Sequence, residues 1–568
     1  MIKNKILFLS LLLVAGVSGC KKQLDVGNPN SPTLAANVNS ESGLIAFAQG
    51  AVYINGFANS NAYNWLGSSY FSLNYGYSEL LGDMVGSDEA NELVSQINIP
   101  SYIILDNGSQ YPTTGPNTPQ TTTLRTENTR AATSAGYNAF YYQWFNMYAL
   151  NGACNVALAI LPTITLSGDT TAVANTIRAW CYFWKGYAYS VIGSQYYSGV
   201  VIDSATATGV NGTSNQFLIK DSIISRSNYW YNQAAAALAL IPSGSTDYTT
   251  VLGELIPAFC QTTPHGGVLT PAMWIDNINT MLARNLLESK LAPYVNANLN
   301  ASITGSSMQA MSAADWQSVL ALATKGIQNG DYVFTGTSIA ANGFYNATTG
   351  TASLLSAGPN SNTVFKISMR FIQDFNAGDQ RLALDFYDSL PPYLSDYYSA
   401  EYSLTDQPNG NSAVYNYGDV TVGSYELFIA GSYEENELML AEANLRLGNT
   451  NTGLQYVDAV RTYQGAGVAS VATAGLTPAQ AYHELVKERR VALFDRGVSF
   501  WDARRWGWTY DIAKGGGSYG NTLITSADVT NTNVTIDFDF LDFWDVPEDE
   551  VLLNPPSSTS AAVVNPNF

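Results

Sequence analysis

Apolar residues recur along most of this chain at intervals of three and four, the spacing that gathers them on one side of an α-helix. In Tyr137–Leu161 the stripe is Phe140, Trp144, Tyr148, Cys154 and Leu158, and Pro162 ends it. Thr176–Ile192 repeats the pattern with Trp180, Trp184, Ala188 and Val191, and Gly193 is its expected stop. A third helix is expected over about Ser222–Ile241, ending at Pro242. Residues 157–162 (Ala-Leu-Ala-Ile-Leu-Pro) and 237–242 (Ala-Leu-Ala-Leu-Ile-Pro) end two of these helices alike, which points to repeated helical hairpins. Further on, capping residues mark the starts. Thr270-Pro271 opens a helix through Ala283 and Leu286, and Ser312 with Asp315 opens one to Gln328. Ser432 with Glu435 opens Tyr433–Leu447, which is followed by Leu454–Tyr463. Thr477, Pro478 and Gln480 open a helix stopped by Gly497, and Ser499–Asp502 opens a short one ending at Gly507. Ile536–Phe540 alternates apolar and acidic residues and reads as a strand with outward aspartates. The fold class is mainly α: a tetratricopeptide-like scaffold of helical pairs without a clean period of about 34 residues, with long irregular loops and a few short strands.

Charge is concentrated in one place. Charged residues are 12% of the chain, yet nine of the 19 positions from Lys487 to Arg505 carry charge. Tyr482, Leu485, Val486, Arg489, Ala492 and Leu493 share one helical face, so Arg489 lies inside an apolar stripe. A guanidinium there requires a carboxylate or carbonyl partner, because an unpaired buried charge costs several kcal/mol or more. A partly buried ion-pair network with a structural role is expected, rather than a solvated helix face.

Glu484–Trp508 resembles the C-terminal signature of the SusD/RagB family, the surface glycan-binding lipoproteins of Bacteroidetes-type bacteria. The match lies at Glu488, Arg489, Arg490, Leu493, Gly497, Asp502, Arg504 and Arg505. The chain departs at Ala492, Asp495, Arg496 and Ser499, where the family usually has Glu, Phe, Glu and Arg. The Glu and Arg flanking the glycine are both gone, and losing both partners costs less than losing one. The departures therefore imply a rewired network in the same fold, carried by Glu488, Arg489, Arg490, Asp502, Arg504 and Arg505. Similar but weaker matches occur at Glu79–Asp83, Met281–Arg284, Trp316–Val319 with Gly330–Tyr332, Met439–Ala443, Val546–Val551 and the terminal Asn565–Phe568. Their order implies a single SusD-like domain over 20–568, with an N-terminal part to about 330 and a C-terminal part from about 331.

Residues 1–19 read as a lipoprotein signal peptide: Lys3 and Lys5 precede an apolar run from Ile6 to Val17, shorter than the about 20 residues of a membrane span. Val17-Ser18-Gly19-Cys20 fits a lipobox, so Cys20 is the expected lipidation site and outer-membrane anchor. Removing Lys3 and Lys5 leaves 23 basic against 45 acidic residues, a net charge of about −22. Such a field repels phosphate backbones and argues against nucleic-acid partners. Cys154, Cys181 and Cys260 remain; three cysteines are no disulfide framework, and although Cys154 and Cys181 lie in consecutive helices, buried thiols are the expected state.

Tyrosine is abundant, with 36 residues against 25 Lys plus Arg. Sugars present apolar C–H faces and rings of hydroxyls, so a sugar site needs flat aromatics flanked by amides, carboxylates or Arg. Polar loops at Asp106–Ala135 and Gly336–Asn362 supply both, and loops this long are more often binding surfaces than linkers. By resemblance, ligand residues follow the Glu79–Asp83 motif, where Asn98, Tyr102 and Tyr111 lie, and come from a later loop, where Phe344 and Tyr345 lie. Tyr63 and Trp65, just before the motif, are further candidates. The two histidines, His265 in an expected turn and His483 on the signature helix, are too few to suggest a zinc site or a Ser-His-Asp triad, and no phosphate-cradling glycine loop occurs. No cofactor, metal or catalytic group is expected. The resemblance implies a non-catalytic lipoprotein that captures oligo- or polysaccharide for a TonB-dependent SusC-like transporter. The alternative is a surface glycoside hydrolase on a helical scaffold, which would need two carboxylates about 5–10 Å apart.

Overall fold

The computed structural model describes residues 38–57, 74–87, 97–130, 138–337, 345–346, 351–352, 365–404 and 426–568. Cys20, Tyr63, Trp65 and Phe344 lie outside the described residues, as does the side chain of Tyr345.

Helices α1 (Glu41–Phe57), α2 (Asn74–Leu81), α3 (Gln120–Glu127), α4 (Ala139–Ile160), α5 (Thr170–Gln195), α6 (Lys220–Leu238) and α7 (Thr246–Leu255) form the first half. Helix α5 packs between α4 and α6. It runs past both expected boundaries. Asp169 caps it six residues early by accepting from the Thr171 and Ala172 amides. Gly193 does not stop it. A Cβ at Gly193 would lie 2.9 Å from the Ile224 side chain, and one at Gly186 would lie 2.7 Å from Tyr231. Both glycines thus serve close contact with α6 rather than helix termination. Phe183, Trp180, Trp184, Trp274 and Phe334 meet in tilted and edge-to-face pairs with centroids 4.9–6.4 Å apart, at the centre of the main core.

The second half carries α8 (Pro271–Glu288), α9 (Ala313–Ala323), α10 (Tyr433–Arg446), α11 (Thr450–Tyr463), α12 (Pro478–Ala492) and α13 (Ser499–Trp506). The expected caps are present: Thr270, Ser432 and the two reciprocal boxes Ser312/Asp315 and Thr477/Gln480. Gly507, at φ 94°, is the left-handed cap of α13. Helix α9 ends at Ala323 instead of Gln328, because the Asn436 amide from α10 donates to the Ala323 and Ile327 carbonyls and turns the chain there.

The strands are short. β1 (Val85–Ser87) pairs antiparallel with β4 (Phe365–Ile367), and β5 (Phe386–Leu394) forms a bulged hairpin with β6 (Ser399–Leu404). One antiparallel sheet has the order β7-β8-β2-β3, from β2 (Tyr102–Ile104), β3 (Gln110–Tyr111), β7 (Ser518–Ile524) and β8 (Thr530–Asp537). The expected strand over Ile536–Phe540 instead stops at Asp537. Asp537 is buried, accepting from the Ile512 amide, and Asp539 turns left-handed at φ 47°. Asp106–Ala135 is not one loop either. It holds β3 and α3, where buried Gln120 donates to the Ile97 carbonyl and accepts from the Leu541 amide. No helix among the described residues is long and apolar enough to cross a membrane.

Candidate functional site

The charged signature forms a buried frame. Arg489 forks onto Asp502 at 2.8 and 3.1 Å, and Arg505 bridges Asp502 and both Glu442 oxygens at 2.6–2.7 Å. Glu488 accepts from Arg381 and Arg461. Arg504 is held by carbonyls of Ser194 and Asp542 rather than by a carboxylate, with its guanidinium 4.1 Å from the Phe543 ring centre. At the departures from the family pattern, Arg496 reaches Glu434 at 3.3 Å and Ser499 meets the Ser78 hydroxyl. Asp495 sits fully buried where the resembled signature has Phe, and neither of its oxygens has a hydrogen-bond partner among the described residues. Burial pushes its pKa up to about 7 against the lowering pull of Arg496. Buried Glu79 nearby is also raised, by burial first and the Asp495 charge second.

This frame reaches outward. Arg490 bonds Asp374 at 2.5 Å and the Gly82 carbonyl at 2.9 Å. Arg370 then forks onto Asp83 and donates to the Tyr397 carbonyl at 2.8 Å. Helix α12 is thereby tied to the Glu79–Asp83 motif, and the motif to the tip of the β5–β6 hairpin.

Between motif and hairpin lies a cleft of about 220 Å³, lined by Ser87, Asn98, Tyr393, Ser395, Tyr397 and Tyr398 with Ile99 and Arg370. Tyr393 and Tyr398 pair with centroids 5.2 Å apart. Tyr398 lies close against β1, where a Cβ at Gly86 would fall 2.3 Å from its ring. The Tyr397 hydroxyl donates to Asn117 Oδ1 at 3.0 Å, and Tyr111 meets its ring edge-on at 5.3 Å. Burial first and a hydrogen bond to Asp396 second push the Tyr111 pKa up to about 12, so it remains a neutral donor. Asn98 Oδ1 and Ser87 Oγ are buried in the cleft wall without a hydrogen-bond partner among the described residues. Each such group costs about 1–3 kcal/mol unless a donor reaches it. Fixed aromatic rings beside unsatisfied acceptors suit a ligand with both C–H faces and hydroxyls.

Of the residues singled out from sequence, Asn98 lines this cleft and Tyr111 backs it. Tyr102 does not join them. It stands opposite Asp537 in the sheet, near Asp511 and Tyr519, where burial and then Asp537 raise its pKa. Sequence reasoning missed Tyr393, Ser395, Tyr397 and Tyr398. A signal was present, since Tyr387, Tyr393, Tyr397, Tyr398 and Tyr402 fall within 16 residues. Among the described residues no group of three or more His, Cys, Asp or Glu is placed to hold a metal. His265 is not merely in a turn: it links Glu426 at 2.9 Å to the Tyr463 hydroxyl at 2.7 Å. Burial raises the Tyr463 pKa, so this phenol is not an activated nucleophile. Cys154 and Cys181 are buried free thiols.

Stacked helical hairpins, a buried Arg-carboxylate frame and a tyrosine cleft at the motif–hairpin junction define a helical scaffold with a cleft on its irregular side. Residues 435–558 match the SusD family model. Solved structures share the fold. A SusD-like carbohydrate binding protein from Bacteroides vulgatus ATCC 8482 is 14% identical with a TM-score of 0.52, covering 92% of this chain and 98% of its own. One from Bacteroides fragilis NCTC 9343 is 16% identical with a TM-score of 0.51, covering 91% and 98%. No curated protein matches the chain.

Proposed function

We propose that this protein is a non-catalytic surface lipoprotein that binds oligo- or polysaccharide. Anchored in the outer membrane through Cys20, it delivers its ligand to a partner TonB-dependent SusC-like transporter. In this reading residues 20–568 act as one SusD-like domain. The observation that carries the reading is the tyrosine cleft, where Tyr393, Tyr397 and Tyr398 stand beside Asn98 and Ser87 oxygens that bond no described residue. Solved proteins of the same fold bear the name SusD-like carbohydrate binding protein, which supports the ligand class. Tyr63, Trp65, Phe344 and Tyr345 remain proposed contributors to the same site. The test is incubation of the soluble protein, starting after Cys20, with a polysaccharide panel. Retention without new reducing ends is the expected result, steady release of products would instead indicate a hydrolase, and failure to retain any glycan would refute the ligand class.

A further inference from the structure

A second cleft, of about 230 Å³, opens beside α12 and shares only Arg370 with the tyrosine cleft. Its charges cancel internally. Arg370 is paired with Asp83 and Arg490 with Asp374, so the walls offer no free charge to a phosphate or carboxylate. Tyr294, Trp508 and Tyr519 supply aromatic surface. Trp508 is fixed in place, donating its indole N–H to the Tyr294 carbonyl at 2.8 Å with the Arg490 guanidinium 5.5 Å from its ring centre.

The polar groups are of a different kind. His483, Asn296 and Asn533 line the cleft with exposed side chains that make no hydrogen bond to the described residues. Partial desolvation by the surrounding walls and then the Lys487 charge lower the His483 pKa, so its ring is neutral near pH 7 with one donor and one acceptor. Asn296 and Ala297 hold consecutive left-handed conformations at φ 49° and 58°, closed by the reciprocal Val295 and Asn298 backbone bonds. Left-handed alanine costs about 1–2 kcal/mol, and strain of this sort gathers at ligand-binding positions. Amide and imidazole groups facing fixed aromatic rings, without net charge, match a neutral polyhydroxylated ring. The volume lies below the roughly 300–1,000 Å³ of drug-sized sites, which limits it to one or two sugar rings.

We propose that this cleft is a second sugar subsite, in which Trp508 and Tyr519 stack on a neutral sugar ring and His483, Asn296 and Asn533 bond its hydroxyls. The assignment rests on the glycan reading above but uses none of the residues that carry it. The test is titration calorimetry with neutral gluco-, manno-, xylo- and fructo-oligosaccharides of two to eight units, on wild type, His483→Ala/Asn533→Ala, Tyr519→Ala and Tyr397→Ala. Removing Trp508 would also free the Tyr294 carbonyl, so Tyr519→Ala examines the aromatic wall instead. The expected result is at least a fivefold affinity loss for the longer oligosaccharides, or loss of one of two binding events for the shorter ones. This should appear in both second-cleft variants, with melting temperature unchanged. Wild-type affinity and stoichiometry in both variants, while Tyr397→Ala loses binding, would overturn the second subsite and leave the glycan reading standing. A wild-type protein that binds none of these sugars would overturn both.

Discussion

Arg489→Ala tests the buried frame directly. Arg489 makes two hydrogen bonds to Asp502, and both side chains are almost fully removed from solvent. Truncation leaves the Asp502 carboxylate buried, and breaking such a pair costs about 3–5 kcal/mol. Asp502 is not wholly abandoned, because Arg505 still donates to it at 2.7 Å. The expected loss is therefore near the lower limit, about 3 kcal/mol. The assay is urea unfolding followed by tryptophan fluorescence, with the midpoint falling and the m-value unchanged. A double-mutant cycle isolates the pair. In Arg489→Met/Asp502→Leu both charges leave together, and Arg505 keeps both Glu442 oxygens. The double variant should recover part of the loss, with a coupling of about 1–3 kcal/mol. Glycan affinity of the folded variants should stay at the wild-type value. An unchanged midpoint for Arg489→Ala, or zero coupling, would refute the view that this pair is buried and mutually dependent.

Other expectations follow from the same geometry. Tyr397→Ala should weaken glycan binding by about 1–2 kcal/mol in titration calorimetry, and normal binding would remove the tyrosine cleft from the site. Cys20→Ala should yield unlipidated protein in the soluble fraction, and lipid found on the variant by mass spectrometry would refute the lipobox reading. Asp495 keeps its proton in the folded state to about pH 7, above the ordinary carboxylate value of 3.8. Its contribution to stability is therefore present at acid pH and is lost as pH rises from about 4 to 7. Asp495→Asn, which tolerates the left-handed φ of 56°, should flatten that slope and raise stability at pH 8 by about 2–4 kcal/mol. Chemical denaturation across pH 4–8 checks this, and identical slopes would contradict it.

What could be read from sequence was what neighbouring residues decide. Thr270, Ser312, Ser432 and Thr477 each satisfy amides within three positions, so their helices begin where the caps stand. The SusD-like fold was legible for a related reason, because the Arg-carboxylate signature lies in one continuous stretch. Gly193 was misread because its role is set by Ile224 on another helix. The end of α9 was misplaced because Asn436, more than 100 residues away, takes up its carbonyls. Neither contact leaves a periodic trace in the sequence around it.

The cleft was less legible because it is assembled across long separations. Asn98 and the Tyr393–Tyr398 hairpin stand almost 300 residues apart. They meet because β1 pairs with β4 and because Arg370 holds Asp83 with one part of its fork and the Tyr397 carbonyl with another. Motif position identified Asn98, and residue type identified Tyr111, but neither indicated that their partners lay on the hairpin. The same arrangement connects the frame to the cleft. Arg490 fixes the Gly82 carbonyl, Arg370 fixes the neighbouring Asp83, and the hairpin carrying the tyrosines hangs from that guanidinium. Because that one arginine joins the hairpin tip to the motif, the tyrosines of the cleft keep their place only while the Arg370–Asp83 pair is intact.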